Sequence, residues 1–164
     1  MIKFQTSLGD FTVELFTDDA PVSAENFLQY VDDGHFDGTV FHRVIPGFMI
    51  QGGGFSADMK QKPTREPIKN EAANGVKNLR GSLSMARTSD VNSASSQFFV
   101  NLVDNAFLDH QGSRNYGYAV FGRVVAGLDV IDAIAAVKTG RKGGHDDVPV
   151  EPVVVKAARR VEPG

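Results

Sequence analysis

The chain has 164 residues, a hydrophobic fraction of 41% and 12 phenylalanines, which suits one folded core and not a disordered chain. Its net charge is −3, it has no cysteine, and its basic residues cluster only in pairs such as Arg141-Lys142 and Arg159-Arg160. Disulfides, thiolate chemistry and a basic nucleic-acid stripe are therefore excluded. No apolar run approaches the ~20 residues of a membrane span, and Met1-Ile2-Lys3-Phe4 turns polar too soon for a signal peptide. A single domain over residues 1–164, working in the cytoplasm, is expected.

Ile2–Ser7 and Phe11–Phe16 read as a β-hairpin around Leu8-Gly9-Asp10, with clear alternation in Phe11-Thr12-Val13-Glu14-Leu15. A helix follows, with Pro21 at its first position, Phe27, Leu28 and Val31 on one face, and Gly34 at its end. Strands are expected near Val40–Ile45 and Phe48–Gly52, joined by Pro46-Gly47. From Gly53 to Arg80 the sequence is polar and aperiodic, a loop long enough to be functional or wrapped over its own surface. Strands resume at Ser82–Arg87, Gln97–Leu102 and Ala119–Val125. A second helix is expected over Leu128–Val137 and a last strand over Val150–Val161. Many short strands with two helices indicate an antiparallel barrel or sandwich, and the pattern alone does not choose.

Between Phe36 and Gly52 one arginine, Arg43, and one glutamine, Gln51, stand in a run of Phe, Val, Ile and Met. A buried arginine is unfavourable unless its donors are satisfied. A pocket that needs a fixed cation beside an apolar surface is the better account of Arg43. Strand alternation puts Met49 with Gln51 on one face, and Gln97 with Phe99, while Ile50 and Phe98 point to the opposite face as core. His35, His42, His110 and His145 lack metal-ligand spacing. His42 reads as a hydrogen-bonded structural residue, and His110 and His145 as solvated loop residues. Gly52-Gly53-Gly54 lacks the ending of a phosphate loop and reads as a tight turn. Ser93, Ser95 and Ser96 have no evident base, and Asp146-Asp147 reads as a solvated turn. No metal or cofactor is expected.

The run Phe36-Asp37-Gly38-Thr39-Val40-Phe41-His42-Arg43-Val44-Ile45-Pro46-Gly47-Phe48-Met49-Ile50-Gln51-Gly52 resembles the signature of the cyclophilins, a family of peptidyl-prolyl cis-trans isomerases. Ser96-Gln97-Phe98-Phe99, Phe107-Leu108-Asp109 and Val120-Phe121-Gly122 follow in that family's order. The resemblance implies a closed eight-stranded antiparallel β-barrel capped by two α-helices. It also implies an isomerase of X-Pro bonds that assists protein folding, with Arg43 as the catalytic residue. Phe48, Met49, Phe99, Phe107 and Leu108 would surround the proline ring. Ala86 and Arg87 would contact the peptide backbone, Gln97 would line the groove, and Gln51 would hold the Arg43 guanidinium. Phe107 stands where many eukaryotic relatives have tryptophan, and Tyr118 where they often have histidine, after a loop, Gln111–Gly117, that they lack. These departures resemble the bacterial branch and imply weak cyclosporin binding. Proline-containing peptides and folding chains are the expected partners of a monomer. The alternative is a proline-binding module without turnover; a scaffold role ranks third.

Overall fold

The computed structural model describes residues 1–162. In chain order the elements are β1 (Ile2–Thr6), β2 (Gly9–Leu15), α1 (Pro21–Asp32), β3 (Thr39–Ile45), β4 (Met49–Ser56), β5 (Ser82–Met85) and β6 (Phe98–Asn101). After these come β7 (Val120–Ala126), α2 (Leu128–Ala135), β8 (Thr139–Lys142), β9 (His145–Pro149) and β10 (Val155–Arg160). Eight strands pair antiparallel in the order β10-β1-β2-β7-β5-β6-β4-β3. The two end strands then meet. Val40 bridges Val154, and the N–H groups of Gly38 and Phe41 donate to Val155 and Val153 carbonyls at 2.8 and 3.1 Å. The sheet thus closes on itself and satisfies the backbone groups an open edge would expose. The expected eight-stranded barrel with two helices is the observed fold.

Phenylalanine fills the interior. Phe4, Phe11, Phe27, Phe36, Phe41, Phe98 and Phe121 are all buried in one cluster with Ile50, Leu83 and Val100. Phe4 stacks on Phe11 at 4.9 Å, and Phe27 lies 4.8 Å from Phe36. Helix α1 contributes Phe27, Tyr30 and Val31 to this core, and α2 contributes Ile131 and Ile134. Pro21 opens α1, and because Ala20 offers no capping oxygen, Glu71 supplies one from a distance. Its carboxylate accepts the backbone N–H groups of Val22 and Ser23 at 3.2 and 2.6 Å, where the helix dipole favours an anion.

Three expectations change. Gly52, Gly53 and Gly54 make no turn; they lie inside β4, which runs on to Ser56. A Cβ would stand 3.0 Å from the Val40 carbonyl oxygen at Gly52, 2.6 Å from that of Ser96 at Gly53, and 2.5 Å from Gln97 Cγ at Gly54. Close approach of neighbouring chain therefore explains the glycines. The polar stretch after β4, by contrast, is wrapped over the surface as expected: Arg65 N–H donates to the Tyr30 hydroxyl at 2.8 Å, and Ile68 bridges Ala94. Finally, the last strand is shorter than Val150–Val161, starting only at Val155, and the residues before Val150 form a separate hairpin, β8–β9, that packs on β3. His145 and Asp146-Asp147 belong to this hairpin and not to a loop.

Candidate active site

The site begins with an irregularity in β3. Phe41 pairs with Gly52 and Arg43 with Gln51, so two steps along β3 match one along β4. His42 is the extra residue of a β-bulge, and bulges re-aim the side chains beside them. Phe41 and Val44 both face the barrel core, while Arg43 is exposed on the outer face opposite Gln51. Arg43 is not buried: it reaches the rim of an apolar cavity from a strand whose other side is core, as the reading of a cation beside an apolar surface expects.

That cavity holds about 110 Å³, well below the ~300–1,000 Å³ of pockets for drug-sized ligands and suited to one small ring. Met49, Ala86, Phe99 and Leu108 form its buried apolar floor, with Ile45, Phe48 and Tyr118 packed against them. Arg43, Gln51 and Arg87 complete the lining. Met49 sits opposite Asn101 and Gln51 opposite Phe99, so β4 and β6 present these side chains on one outer face. Ile50 and Phe98 point inward. Phe99 meets Tyr118 edge-on at 5.6 Å.

Two expected site residues stand outside the lining. Phe107 is 61% exposed and stacks on Phe48 at 5.7 Å, forming an aromatic ledge beside the cavity. Gln97 lies behind Gln51 and accepts its amide N–H at 2.9 Å. Gln51 therefore gives one of its two amide N–H groups to Gln97, and among the described residues the Arg43 side chain has no hydrogen-bond or ion-pair partner. Arg87 differs. Its Nε and Nη2 donate to the Gly117 carbonyl at 3.2 and 3.0 Å, its Nη1 donates to Thr88 O at 2.9 Å, and its guanidinium lies 4.5 Å over the Tyr118 ring.

The family model described as "Cyclophilin type peptidyl-prolyl cis-trans isomerase/CLD" matches residues 1–160. The chain belongs to the cyclophilin family. It is similar to peptidyl-prolyl cis-trans isomerase A of Dickeya dadantii, at 57% identity over 98% of this chain and 84% of that protein. It is also similar to isomerase B of Escherichia coli, at 54% identity over 96% of this chain and 97% of that protein. Among solved structures, a Cryptosporidium parvum cyclophilin crystallised in the presence of the dipeptide Ala-Pro superposes with a TM-score of 0.80. Its sequence identity is 25%, and 99% of each chain is covered. This cyclophilin is accordingly a peptidyl-prolyl cis-trans isomerase of the bacterial kind.

Sequence reasoning missed the polar frame behind the cavity wall of this cyclophilin. Asn105 Nδ2 donates to Phe48 O at 3.0 Å and to Asn101 Oδ1 at 2.9 Å. Asn101 Nδ2 donates to Ser82 Oγ at 2.9 Å, and Ser84 Oγ donates to Asn78 Oδ1 at 2.6 Å. Asn78 donates from both its N–H and its Nδ2 to Asp109 Oδ1. The Asn105 carbonyl accepts Leu108 N–H, whose own carbonyl accepts Tyr118 N–H. Phe48, Leu108 and Tyr118 are thus all held through their backbones. The available signal was the alternation Ser82-Leu83-Ser84-Met85 beside Asn101, polar residues at strand positions that a barrel would otherwise fill with apolar ones.

The histidines also depart from expectation. His42 is buried at 5% exposure, its Nδ1 is sealed from solvent, and it makes no hydrogen bond among the described residues. Its ring packs 4.6 Å from Phe55 and 6.3 Å from His145. Burial first, then the proximity of His145 and Arg43, pushes its pKa down to about 4. His110 is tied to Tyr116 O through Nδ1 at 2.8 Å and is not merely solvated. His35 shares a hydrogen bond with Gly53 O at 3.0 Å, and burial lowers its pKa despite that contact.

Proposed function

We propose that the groove binds proline-containing peptides, seats the proline ring on Met49, Phe99 and Leu108, and speeds rotation of the X-Pro bond with Arg43 as the catalytic residue. The observation that carries this reading is a guanidinium with no internal partner at the rim of a small apolar cavity. The barrier to rotation, about 18–20 kcal/mol, comes from conjugation between the amide nitrogen and carbonyl. As the bond twists, conjugation is lost and the proline nitrogen regains a lone pair. A donor aimed at that nitrogen binds the twisted state better than either planar one. Arg43 keeps its charge at any ordinary pH and has free N–H groups to give. The apolar floor excludes water from the ring and strengthens that hydrogen bond. Rotation breaks no covalent bond, so neither a nucleophile nor a proton acceptor is called for.

Gln97, through Gln51, shapes the wall next to Arg43, while Phe48 and Phe107 extend the apolar surface to residues flanking the proline. Ala86 and Arg87 border the same groove along the peptide. The crystallisation of a cyclophilin with Ala-Pro supports peptide binding here. Phe107 has no N–H donor, which argues for weak cyclosporin binding. The single closed barrel argues for one domain acting as a monomer. No described helix is long and apolar enough to cross a membrane, and unfolded or folding chains in the cytoplasm are the substrates we assign to it.

Isomerisation of a short X-Pro peptide tests the mechanism. Arg43→Ala should lower kcat by at least about tenfold, equivalent to ~1.4 kcal/mol of lost preference for the twisted state. Its melting temperature should be unchanged, because the side chain is exposed and unpaired. Arg43→Lys should recover little, since a point charge cannot replace the planar fork. Near-normal turnover by folded Arg43→Ala would remove Arg43 from the mechanism. Peptide binding without acceleration by the wild type would leave a binding module.

A further inference from the structure

Five of the nine arginines, Arg65, Arg80, Arg123, Arg159 and Arg160, are ion-paired with a carboxylate. Among the described residues the two that line the groove, Arg43 and Arg87, are not, and no acidic residue shares the lining with them. A chain of net charge −3 thus places two cations together where its substrate binds. Asp37, the acid nearest Arg43 in sequence, pairs with Arg159, and three other acids accept N–H groups outside the groove lining. Asp109 accepts from Asn78, Asp90 accepts the Asn92 N–H, and Glu71 caps α1.

Resting on the proposed reading of the groove, we infer that Arg87 makes this isomerase select proline segments carrying an acidic side chain within two residues of the proline. Arg87 is fixed in place by carbonyls and by the Tyr118 ring. Carbonyls orient a guanidinium but carry no net charge, so its full positive charge remains. Three of its five N–H groups are used, which leaves donors for a peptide carboxylate. A charge-assisted hydrogen bond to a side chain already held still loses little conformational freedom on forming. Arg43 adds a second attraction for an acid and a second repulsion for a base.

The test uses two peptide series on the full chain, with Glu, Gln or Lys either immediately before or immediately after the proline. In at least one series kcat/KM for the Glu peptide should exceed that for the Lys peptide by roughly three- to tenfold at low ionic strength, with Gln between them. The ratio should shrink as salt is raised. Arg87→Gln should flatten it, and Arg87→Lys should keep most of it. Because it compares two peptides on one protein, the ratio is independent of the folded fraction. If Arg87 only locks the 111–117 loop, its substitution changes all peptides alike and the ratio survives, which overturns the inference. Equal kcat/KM for Glu and Lys peptides in both series does the same, and turnover of the Gln peptides then leaves the isomerase reading standing. Failure to turn over the Gln peptides would overturn that reading, and the inference with it.

Discussion

Phe98 and Phe99 follow one another on β6 and serve different halves of the molecule. Phe98 points into the barrel, with its ring 5.3 to 6.1 Å from those of Phe27, Phe36, Phe4 and Phe41. Phe99 points outward to a cluster of four buried residues, with Tyr118 as its ring partner. One residue step therefore separates the core that stabilises the fold from the surface we propose for the substrate. Inside, apolar rings pack on one another. Outside, a thin apolar floor is held in place by asparagines and a loop.

The largest effect tests that separation. Phe98→Ala should lower stability by about 3–5 kcal/mol, the usual range for a fully buried phenylalanine, and leave kcat/KM per folded molecule little changed. Phe99→Ala should lose less stability, because its cluster is smaller, yet reduce kcat/KM severalfold by removing part of the proline floor. Denaturant titrations with assays on both variants decide it. A greater stability loss for Phe99 than for Phe98 would reverse the roles assigned to the two faces.

The next pair of neighbours, His42 and Arg43, sharpens the same contrast through pH. Folding holds His42 at a pKa of about 4, against 6.5 for the free side chain. Above pH 6.5 the imidazole is neutral in both states and its stabilising burial is fully present. As pH falls from 6.5 towards 4, the unfolded chain takes up the proton first, so stability declines by about 3 kcal/mol in all. His35, also lowered, acts in the same direction. Asp32, Asp37 and Asp132 have pKa values lowered from 3.8 by their arginine partners, so their share is lost only at more acidic pH. Stability measured between pH 7 and 4.5 should fall in the wild type and fall clearly less in His42→Gln. An identical slope would show that His42 does not carry the acid sensitivity.

Periodicity made the strands readable, while the barrel itself came from the family resemblance: Phe11 and Val13, or Ile50 beside Met49 and Gln51, announce their faces because strand side chains alternate. The family resemblance named the residues that the fold gathers around the cavity, and also Gln97 and Phe107, which stand outside its lining. What stayed hidden were departures from alternation. The bulge at His42 shifts Phe41 and Val44 onto the same face, and only pairing with Gly52 and Gln51 reveals it. The three glycines of β4 looked like a turn because the chain that presses on them lies elsewhere in the sequence, at Val40 for Gly52 and more than 40 residues away, at Ser96 and Gln97, for Gly53 and Gly54. The asparagine frame joins residues from Phe48 to Tyr118, and no local pattern connects positions so far apart. The β8–β9 hairpin hid behind glycines and charges, since its exposed strands have little apolar signal.

Asn105 offers the finest test of how the groove is held. Its Nδ2 bridges Phe48 O and Asn101 Oδ1, tying the strand that bears the floor to the turn that bears Phe107 and Leu108. Asn105→Ala leaves a buried acceptor on Asn101 without this donor, which should lower stability by about 1–3 kcal/mol. It should also loosen Phe48 and Leu108 against the proline ring. Arg43 sits on β3 and is untouched, so the defect should appear as a raised KM with kcat nearly preserved, the pattern of lost uniform binding. Steady-state kinetics beside a thermal melt separates the two effects. A lowered melting temperature with unchanged KM would mean that the frame only fastens the loop to the barrel, and that the groove keeps its shape through apolar packing alone.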